Sequence, residues 1–324
     1  MNPQSLEALL DLLANGTAHR GEELARALGI SRAAVWKKIE ALRALGVELE
    51  GRAGTGYALA RRLERLDEIA IRAALAPSTR ARLRQLRIVA VTASTNADLN
   101  AEADALASGS VLLAEAQTAG RGRRGRSWAS PFAAGFLGSL FWRFECGLAD
   151  LAGLSLAVGI ALAEAWRAHG VEVQVKWPND LWIGDRKLAG VLIEAGGEFH
   201  GPSHVVVGLG LNLALPATLR TSLDQPVTDL DANLASPMSR NVAVAVCLDA
   251  LFAALIEFER EGLAPFIARW PAVDALAGRT VDVVEAQRRW HGQACGIDER
   301  GRLRVQSGDR LQHVDAGEIS IRLA

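Results

Sequence analysis

Apolar spacing changes twice along this 324-residue chain, and each change restricts what the segment can fold into. In residues 1–60 the spacing is helical. Leu6, Leu9, Leu10 and Leu13 recur three and four apart, as do Val35, Ile39 and Leu42, and Asn15-Gly16, Gly29 and Gly46 stand where the helical runs stop. Residues 47–50 and 56–59 then flank a glycine-rich tip, the pattern of a small hairpin. Residues 88–271 mix short strand-like runs (88–91, 111–115, 136–143, 173–177, 188–194, 205–213) with helical stretches at 154–169 and 241–261. In the first of those helices Leu154, Val158, Leu162 and Trp166 form one stripe and Gly170 is the stop. Such a mixture predicts an α/β or α+β layer structure. Residues 275–324 return to short strands punctuated by Gly278, Gly292, Gly301, Gly308 and Gly317, which predicts a small β-barrel. Between the first two blocks, residues 61–87 hold eight arginines against Glu64, Asp67 and Glu68, broken by Ala76-Pro77-Ser78. That stretch reads as a linker with one or two helical turns. The expected fold is therefore α+β and multidomain, with boundaries at 1–60, 61–87, 88–271 and 275–324; the length fits two or three domains at roughly 150 residues each.

Composition excludes several classes. The net charge is −1, so a polyanion site has to come from local clustering. Cys146, Cys247 and Cys295 are far apart with no C-x-x-C, which argues against a disulfide framework or zinc ribbon and for a reducing cytoplasm. The first residues lack a basic segment and carry Glu7 and Asp11 in their apolar run, unlike a signal peptide. No run of 18 uncharged apolar residues occurs, so no membrane partner is expected.

Two short helices joined by Gly29-Ile30-Ser31 have helix-turn-helix form, with Gly29 suited to the unusual backbone angles of the turn and Ser31 as N-cap of the third helix. That helix would enter the major groove. Its outward side carries Arg32, Trp36, Lys37, Lys38 and Arg43 against Glu40 alone, and Arg52 on the hairpin tip is placed to touch the DNA backbone as a wing. A helical bundle with a solvated basic face is the bland alternative. The succession of helix, turn, basic helix and hairpin favours DNA binding over it.

The central block carries the chemistry. Gly120-Arg121-Gly122-Arg123-Arg124-Gly125 matches G-x-G-x-x-G, but a dinucleotide fingerprint needs a helix beginning at the glycines. Here Ser127-Trp128-Ala129-Ser130-Pro131 follows, then a strand-like run, so that reading is rejected. What remains is a loop of glycines and guanidinium groups, extended by Arg126, suited to wrapping phosphate or carboxylate. Lys176-Trp177-Pro178-Asn179-Asp180 ends a strand with an amide and a carboxylate, a pair that suits magnesium held mainly through water and phosphate, although an Asn-Asp turn alone is ordinary. Lys187 opens an apolar strand, either at a cleft mouth or in a plain hairpin with Asp185-Arg186. Ser94-Thr95-Asn96 offers two hydroxyls and an amide to a small polar ring, or simply an N-cap for a helix over 97–107. Gly208-Leu209-Gly210-Leu211-Asn212 ends another strand, where glycines allow close approach to a ligand or close strand packing.

In this order, Ser94-Thr95-Asn96, Gln117 with the 120–125 loop, the 176–180 motif, Arg186-Lys187-Leu188-Ala189-Gly190 and Gly208–Asn212 resemble the biotin protein ligases, over essentially the whole chain. The N-terminal block is similar to that of the bifunctional bacterial type, ligase and biotin-operon repressor in one chain. The lipoate ligases share the fold but lack the pairing of arginine loop and KWPND motif. The resemblance implies a winged helix-turn-helix, a class II synthetase-like ligase domain and a small SH3-like barrel. It also implies a reaction: biotin and ATP, with magnesium, form biotinyl-5′-AMP, and a lysine of a biotin carboxyl carrier protein then attacks that anhydride. Biotin contacts would fall on Ser94, Thr95, Asn96, Gln117, Gly120, Arg121, Gly122, Arg123, Trp128 and Lys187. Arg124, Lys176, Asn179, Asp180 and Asn212 would serve the nucleotide, with Asp180 at the metal, and Lys187, Arg121 and Arg123 would carry the chemistry. Repression would use biotinyl-5′-AMP as corepressor, a homodimer and a two-fold operator. In repressor-type relatives a tryptophan in the loop after the last motif covers the adenine; here Pro226 stands near its place. The rivals are a ligand-sensing transcription factor without chemistry and a lipoate ligase.

Overall fold

The computed structural model describes residues 3–52, 56–61, 63–284, 289–316 and 320–323. Three helices open the chain: α1 (Pro3–Leu13), α2 (Gly21–Leu28) and α3 (Arg32–Ala44). Gly29 follows α2 with φ +64°, the left-handed turn that glycine allows without a Cβ penalty. Ser31 caps α3 by accepting from Ala34 N at 3.2 Å. The apolar stripe at Val35, Ile39 and Leu42 is fully buried against Leu9, Leu13 and Leu24. The expected hairpin is β1 (Leu49–Arg52) and β2 (Gly56–Leu59), paired antiparallel; its tip, Ala53–Thr55, and the side chain of Arg52 lie outside the described residues.

Residues 61–87 differ from the linker expected of them. They carry the helical turns, α4 (Glu68–Ala74) and α5 (Pro77–Arg82), but Leu66, Ile71, Leu75 and Leu83 are buried in the main core, and β3 (Gln85–Thr92) begins within the stretch. The charge of the arginines masked a helical apolar stripe. Arg65 also meets Asp11 of α1 at 2.9 Å.

The central block is a seven-stranded mixed sheet. After β3 and the short α6 (Thr95–Ala101) come β4 (Ser110–Gln117), β5 (Gly135–Phe144) and α7 (Leu154–Ala168). Then follow β6 (Gln174–Lys176), β7 (Asp180–Ile183), β8 (Arg186–Gly197), β9 (Ser203–Asn212), α8 (Ala217–Ser222), α9 (Arg240–Glu261) and α10 (Ala264–Arg269). The strand order is β3-β4-β5-β9-β8-β7-β6, with β3 and β4 parallel and the other neighbours antiparallel. Two helical stretches, Leu148–Ala168 (α7 with the 3₁₀ turn before it) and α9, are long and apolar enough by length and composition to cross a membrane. Here both are core helices: Leu154, Val158, Leu162 and Trp166 of α7, and Val244, Leu248, Leu251 and Leu255 of α9, share one buried cluster with the sheet.

A buried ion pair ties the former linker to this core. Glu115 of β4 pairs with Arg240 of α9 and accepts from Leu66 N at 2.8 Å. The same guanidinium donates to Gly135 O (Nη2, 3.0 Å) and Glu64 O (Nη1, 3.0 Å).

The last block is an antiparallel five-stranded sheet, β10 (Thr280–Val284), β11 (Arg289–Ile297), β12 (Leu303–Ser307), β13 (Arg310–Val314) and β14 (Ser320–Leu323), ordered β13-β12-β11-β10-β14. Among the described residues its outer strands β13 and β14 pair on one side only, and a bulge between Ala294 and Ile297 bends it. Trp177 Nε1 donates to Gly301 O at 2.9 Å, and Arg279 meets Asp185 at 2.5 Å, so this sheet is held beside β6 and β7. Cys146, Cys247 and Cys295 are unpaired.

Candidate functional site

One cavity gathers most of the singled-out residues. Ser94, Thr95, Asn96, Gln117, Arg121, Gly122, Arg123, Arg124, Trp128, Lys176, Asn179, Asp180 and Lys187 all line it. They arrive from the N-terminus of α6, the end of β4, the loop after it, the β6–β7 turn and the start of β8. Strand ends and loops converging on one side of a sheet are where open α/β folds bind ligands.

Its floor is polar and internally satisfied. Ser94 caps α6 through Ala97 N at 3.4 Å, and Ser94, Thr95 and Asn96 also line the cavity. The helix it caps stops at Ala101, shorter than the stretch to 107 that the sequence suggested. Thr95 donates its backbone N–H to Gln117 Oε1 at 2.8 Å, and its hydroxyl lies 2.7 Å from Ser139 Oγ. Ser139 Oγ in turn donates to Asn96 Oδ1 at 2.6 Å. The glycines of β9 make room for this floor. A Cβ on Gly208 would sit 2.2 Å from Asn96 Oδ1, and one on Gly210 would sit 2.5 Å from the Trp128 indole. Both side chains lie against bare backbone, which no other residue type permits.

The roof is cationic. No helix starts at the glycines of the 120–125 loop; it makes a single 3₁₀ turn, Arg123–Gly125, with Arg124 left-handed at φ +58°. Arg123 donates to Asn179 Oδ1 at 3.1 Å and to Ala316 O, just after β13 of the C-terminal block. Lys187 Nζ is 2.8 Å from Asp180 Oδ1 and 5.5 Å from the centre of the Trp128 ring, a cation over an aromatic face. Lys176 Nζ stands 4.5 Å over the ring of Trp182. Burial holds the Lys176 amine down at about 8, with Asp180 opposing the shift and Lys187 and Arg126 adding to it. Burial likewise lowers Arg123 from its ordinary value.

Two expected site residues are not brought to the cavity. Asn212 is buried at the end of β9 and spends its amide on Thr228 O at 3.0 Å, holding the loop that follows. Gly120 lies behind the lining: a Cβ there would meet Ser130 Oγ and Trp128 O, so its bareness serves loop packing. Sequence reading also missed contributors. Ser127, Gln225 and Ile321 line the cavity, and Ser139 and Glu194 bond to its floor. Gln225 belongs to the loop bearing Pro226, which is bridged to the backbone of Lys187 (Lys187 N to Pro226 O, 3.0 Å; Thr228 N to Lys187 O, 2.9 Å). Only Glu194 left a readable signal, an acid closing an otherwise apolar strand.

On the N-terminal block, Arg32, Trp36 and Lys37 are exposed, Trp36 by 56%, while Lys38 is partly covered. Arg32 stands 3.6 Å from Glu22. The end of α3 contacts the central block, with Phe132 N donating to Leu45 O at 2.8 Å.

Comparison with known proteins matches three family models to this chain: the biotin/lipoate A/B protein ligase family over residues 88–212, an HTH domain over 5–58, and the biotin protein ligase C-terminal domain over 277–322. The bifunctional ligase/repressor BirA of Escherichia coli is 40% identical over 318 residues, covering 98% of this chain and 97% of its own. That of Bacillus subtilis is 29% identical, covering 93% of each. The biotin–[acetyl-CoA-carboxylase] ligase of Mycobacterium tuberculosis is 36% identical, covering 73% of this chain and 88% of its own. Among solved structures, the biotin protein ligase from Aquifex aeolicus in complex with biotin and ATP shares the fold (TM-score 0.63, 23% identity), over 74% of this chain and all of that one.

Proposed function

The chain belongs to the family of bifunctional ligase/repressors, and on that premise we propose that it is an ATP-dependent, AMP-forming biotin ligase and a DNA-binding repressor in one polypeptide. The observation that carries the ligase reading is the charge of the cavity: among the described residues, four arginines and two lysines line it against the single carboxylate of Asp180. A carboxylic acid and a nucleoside triphosphate repel one another, and bringing them into contact needs that excess of positive charge.

The reaction runs in two displacements. A carboxylate oxygen of biotin bonds to the α-phosphorus of ATP as the bond to the β-phosphate breaks, releasing pyrophosphate. The amine of a carrier-protein lysine then attacks the carbonyl of biotinyl-5′-AMP, AMP departs, and the nitrogen loses its proton. No nucleophilic side chain of the enzyme is required. Ser94, Thr95, Asn96, Gln117 and Trp128 hold biotin; Arg121, Arg123 and Lys187 neutralise the two acids as they meet, with Gly122 letting the loop approach. Arg124, Lys176 and Asn179 take the nucleotide. Asp180 fits a magnesium ion bound mainly by phosphate and water, since it is the only carboxylate in the lining among the described residues and MgATP needs one or two from the protein. When bound, that ion neutralises phosphate charge.

In the same reading, residues 1–60 bind operator DNA through Ser31, Arg32, Trp36, Lys37, Lys38 and Arg52. Residues 88–271 are catalytic, residues 275–324 support nucleotide and carrier binding, and the protein works in the cytoplasm as a homodimer when the adenylate is bound. The decisive assay is biotin-dependent exchange of labelled pyrophosphate into ATP, followed by transfer of labelled biotin, against lipoate, to a carrier domain. Biotin-specific exchange and transfer support the reading. Transfer of lipoate, or binding without exchange, overturns it. For the repressor, a gel shift on biotin-gene promoter DNA is expected with biotin and ATP at low salt and should weaken steeply as salt rises, because phosphate contacts release counterions. No shift under any of these conditions leaves the ligase alone.

Lys176 supplies a pH signature. Its folded value of about 8 lies below the ordinary lysine value, so it is partly neutral in mildly alkaline solution. An arriving polyphosphate favours the ammonium, so nucleotide binding at about pH 8.5 should take up protons, and less so as pH falls below the Lys176 value. Calorimetry in two buffers of different ionisation enthalpy reads that uptake, and Lys176→Met should remove it.

A further inference from the structure

Glu194 has no role in the reaction just described. It lies on β8 two residues beyond Leu192 and four beyond Gly190, both of which line the cavity, so strand alternation puts it on the same face. Its Oε2 accepts from three donors: Asn96 Nδ2 at 2.8 Å, Arg121 Nη2 at 2.9 Å and Asn100 Nδ2 at 3.2 Å. These come from α6 and from the arginine loop, whose entry is joined to the start of α6 by Ala119 N to Ala93 O (3.0 Å) and Thr95 N to Gln117 Oε1 (2.8 Å), so Glu194 adds a tie beyond that junction, at Arg121 itself. A carboxylate only accepts hydrogen bonds, so Glu194, at the shorter distance, acts with Leu192 O to set which way the Asn96 carboxamide faces. With Nδ2 turned to Glu194 and to Leu192 O (3.3 Å), Oδ1 is turned to Ser139. The same oxygen anchors the first arginine of the loop, whose residues 124–127 are otherwise exposed. Charge-assisted bonds of this kind are roughly twice as strong as neutral ones, and the Glu194 side chain is only 30% exposed.

We propose that Glu194 is a positioning residue of the ligase: it tethers Arg121, and through it the 120–126 loop, over the cavity while setting the orientation of the Asn96 carboxamide. The proposal rests on the cavity being the biotin site. Arg121 keeps Nε and Nη1 for a ligand while Nη2 stays on Glu194. The opposite arrangement, in which Glu194 merely occupies Arg121 until the acid substrate displaces it, makes the opposite prediction, because removing the carboxylate charge would then tighten biotin binding.

Glu194→Gln keeps the size of the side chain and removes its charge. The Michaelis constant for biotin in pyrophosphate exchange is expected to rise about tenfold while kcat changes by less than about twofold, the split that marks lost ground-state positioning. Trypsin, which has four arginine sites in the loop, should cut the ligand-free variant faster than wild type. In an Arg121→Ala background the same substitution should add much less, since the shared contact is already gone. Glu194→Asp, which keeps the charge, should fall between wild type and Glu194→Gln. A Michaelis constant that is unchanged or lowered, with unaltered loop cleavage, overturns the proposal. Wild-type protein without any exchange would overturn the ligase reading instead, and the cleavage comparison would still decide whether Glu194 holds the loop.

Discussion

Lys187→Ala is expected to lower biotin-dependent ATP–pyrophosphate exchange by about 10²–10³-fold, the usual cost of removing one preorganised charge partner from a displacement centre. The Lys187 ammonium lies over Trp128 and beside Asp180, at the point where the arginine loop, the β6–β7 turn and the Pro226 loop meet. No other lysine approaches this point so closely except Lys176, which is stacked on Trp182. Its loss should leave the fold intact. Lys187 and Asp180 both line the cavity, so water there can solvate Asp180 once the ammonium is gone, and the Lys187 backbone bonds to Pro226 and Thr228 survive the substitution. Circular dichroism and thermal unfolding should therefore match wild type while exchange collapses. Full exchange in the variant removes Lys187 from the chemistry.

Glu115→Ala is expected to do the reverse, destabilising the protein by about 3–5 kcal/mol with the cavity residues themselves untouched. Glu115 is 1% exposed and faces Arg240, itself 6% exposed. Deleting the carboxylate leaves a buried guanidinium whose remaining partners are carbonyls, and strands Leu66 N without an acceptor. Because this cluster joins the 61–87 segment to β4 and α9, chemical denaturation should reach its midpoint at lower denaturant, and proteolysis should begin near residues 63–75. A variant as stable as wild type shows that the pair contributes nothing net.

Much of this was legible in the amino-acid order. The stripes Val35-Ile39-Leu42 and Leu154-Val158-Leu162-Trp166 dictate helices, because 3.6-residue periodicity is a local property of the backbone; that α7 is buried well beyond its stripe was decided by the core around it. The absence of a helix after Gly125 followed from the residues there, and the Rossmann alternative fell with it. The chemistry of the cavity was legible for the same reason: guanidinium, ammonium, amide and hydroxyl groups keep their bonding preferences wherever the chain takes them.

The misreadings have a common cause. In residues 61–87 the arginines dominated the count and hid Leu66, Ile71, Leu75 and Leu83, four residues that matter only once α9 is there to receive them. Asn212, expected at the nucleotide, donates its amide to Thr228 O, a contact with the returning loop that no local spacing announces. Gly120 was placed in the cavity and instead lets Trp128 and Ser130 pack behind it.

What the order of residues determined by itself was local conformation and chemical capacity, since propensity, capping and charge need only near neighbours. The choice of partner belonged to the tertiary structure. Arg121 with Glu194, Arg240 with Glu115 and Lys187 with the Pro226 segment are separated along the chain or lie on different elements, and hydrogen bonds are selected by distance in space, which no spacing in sequence records.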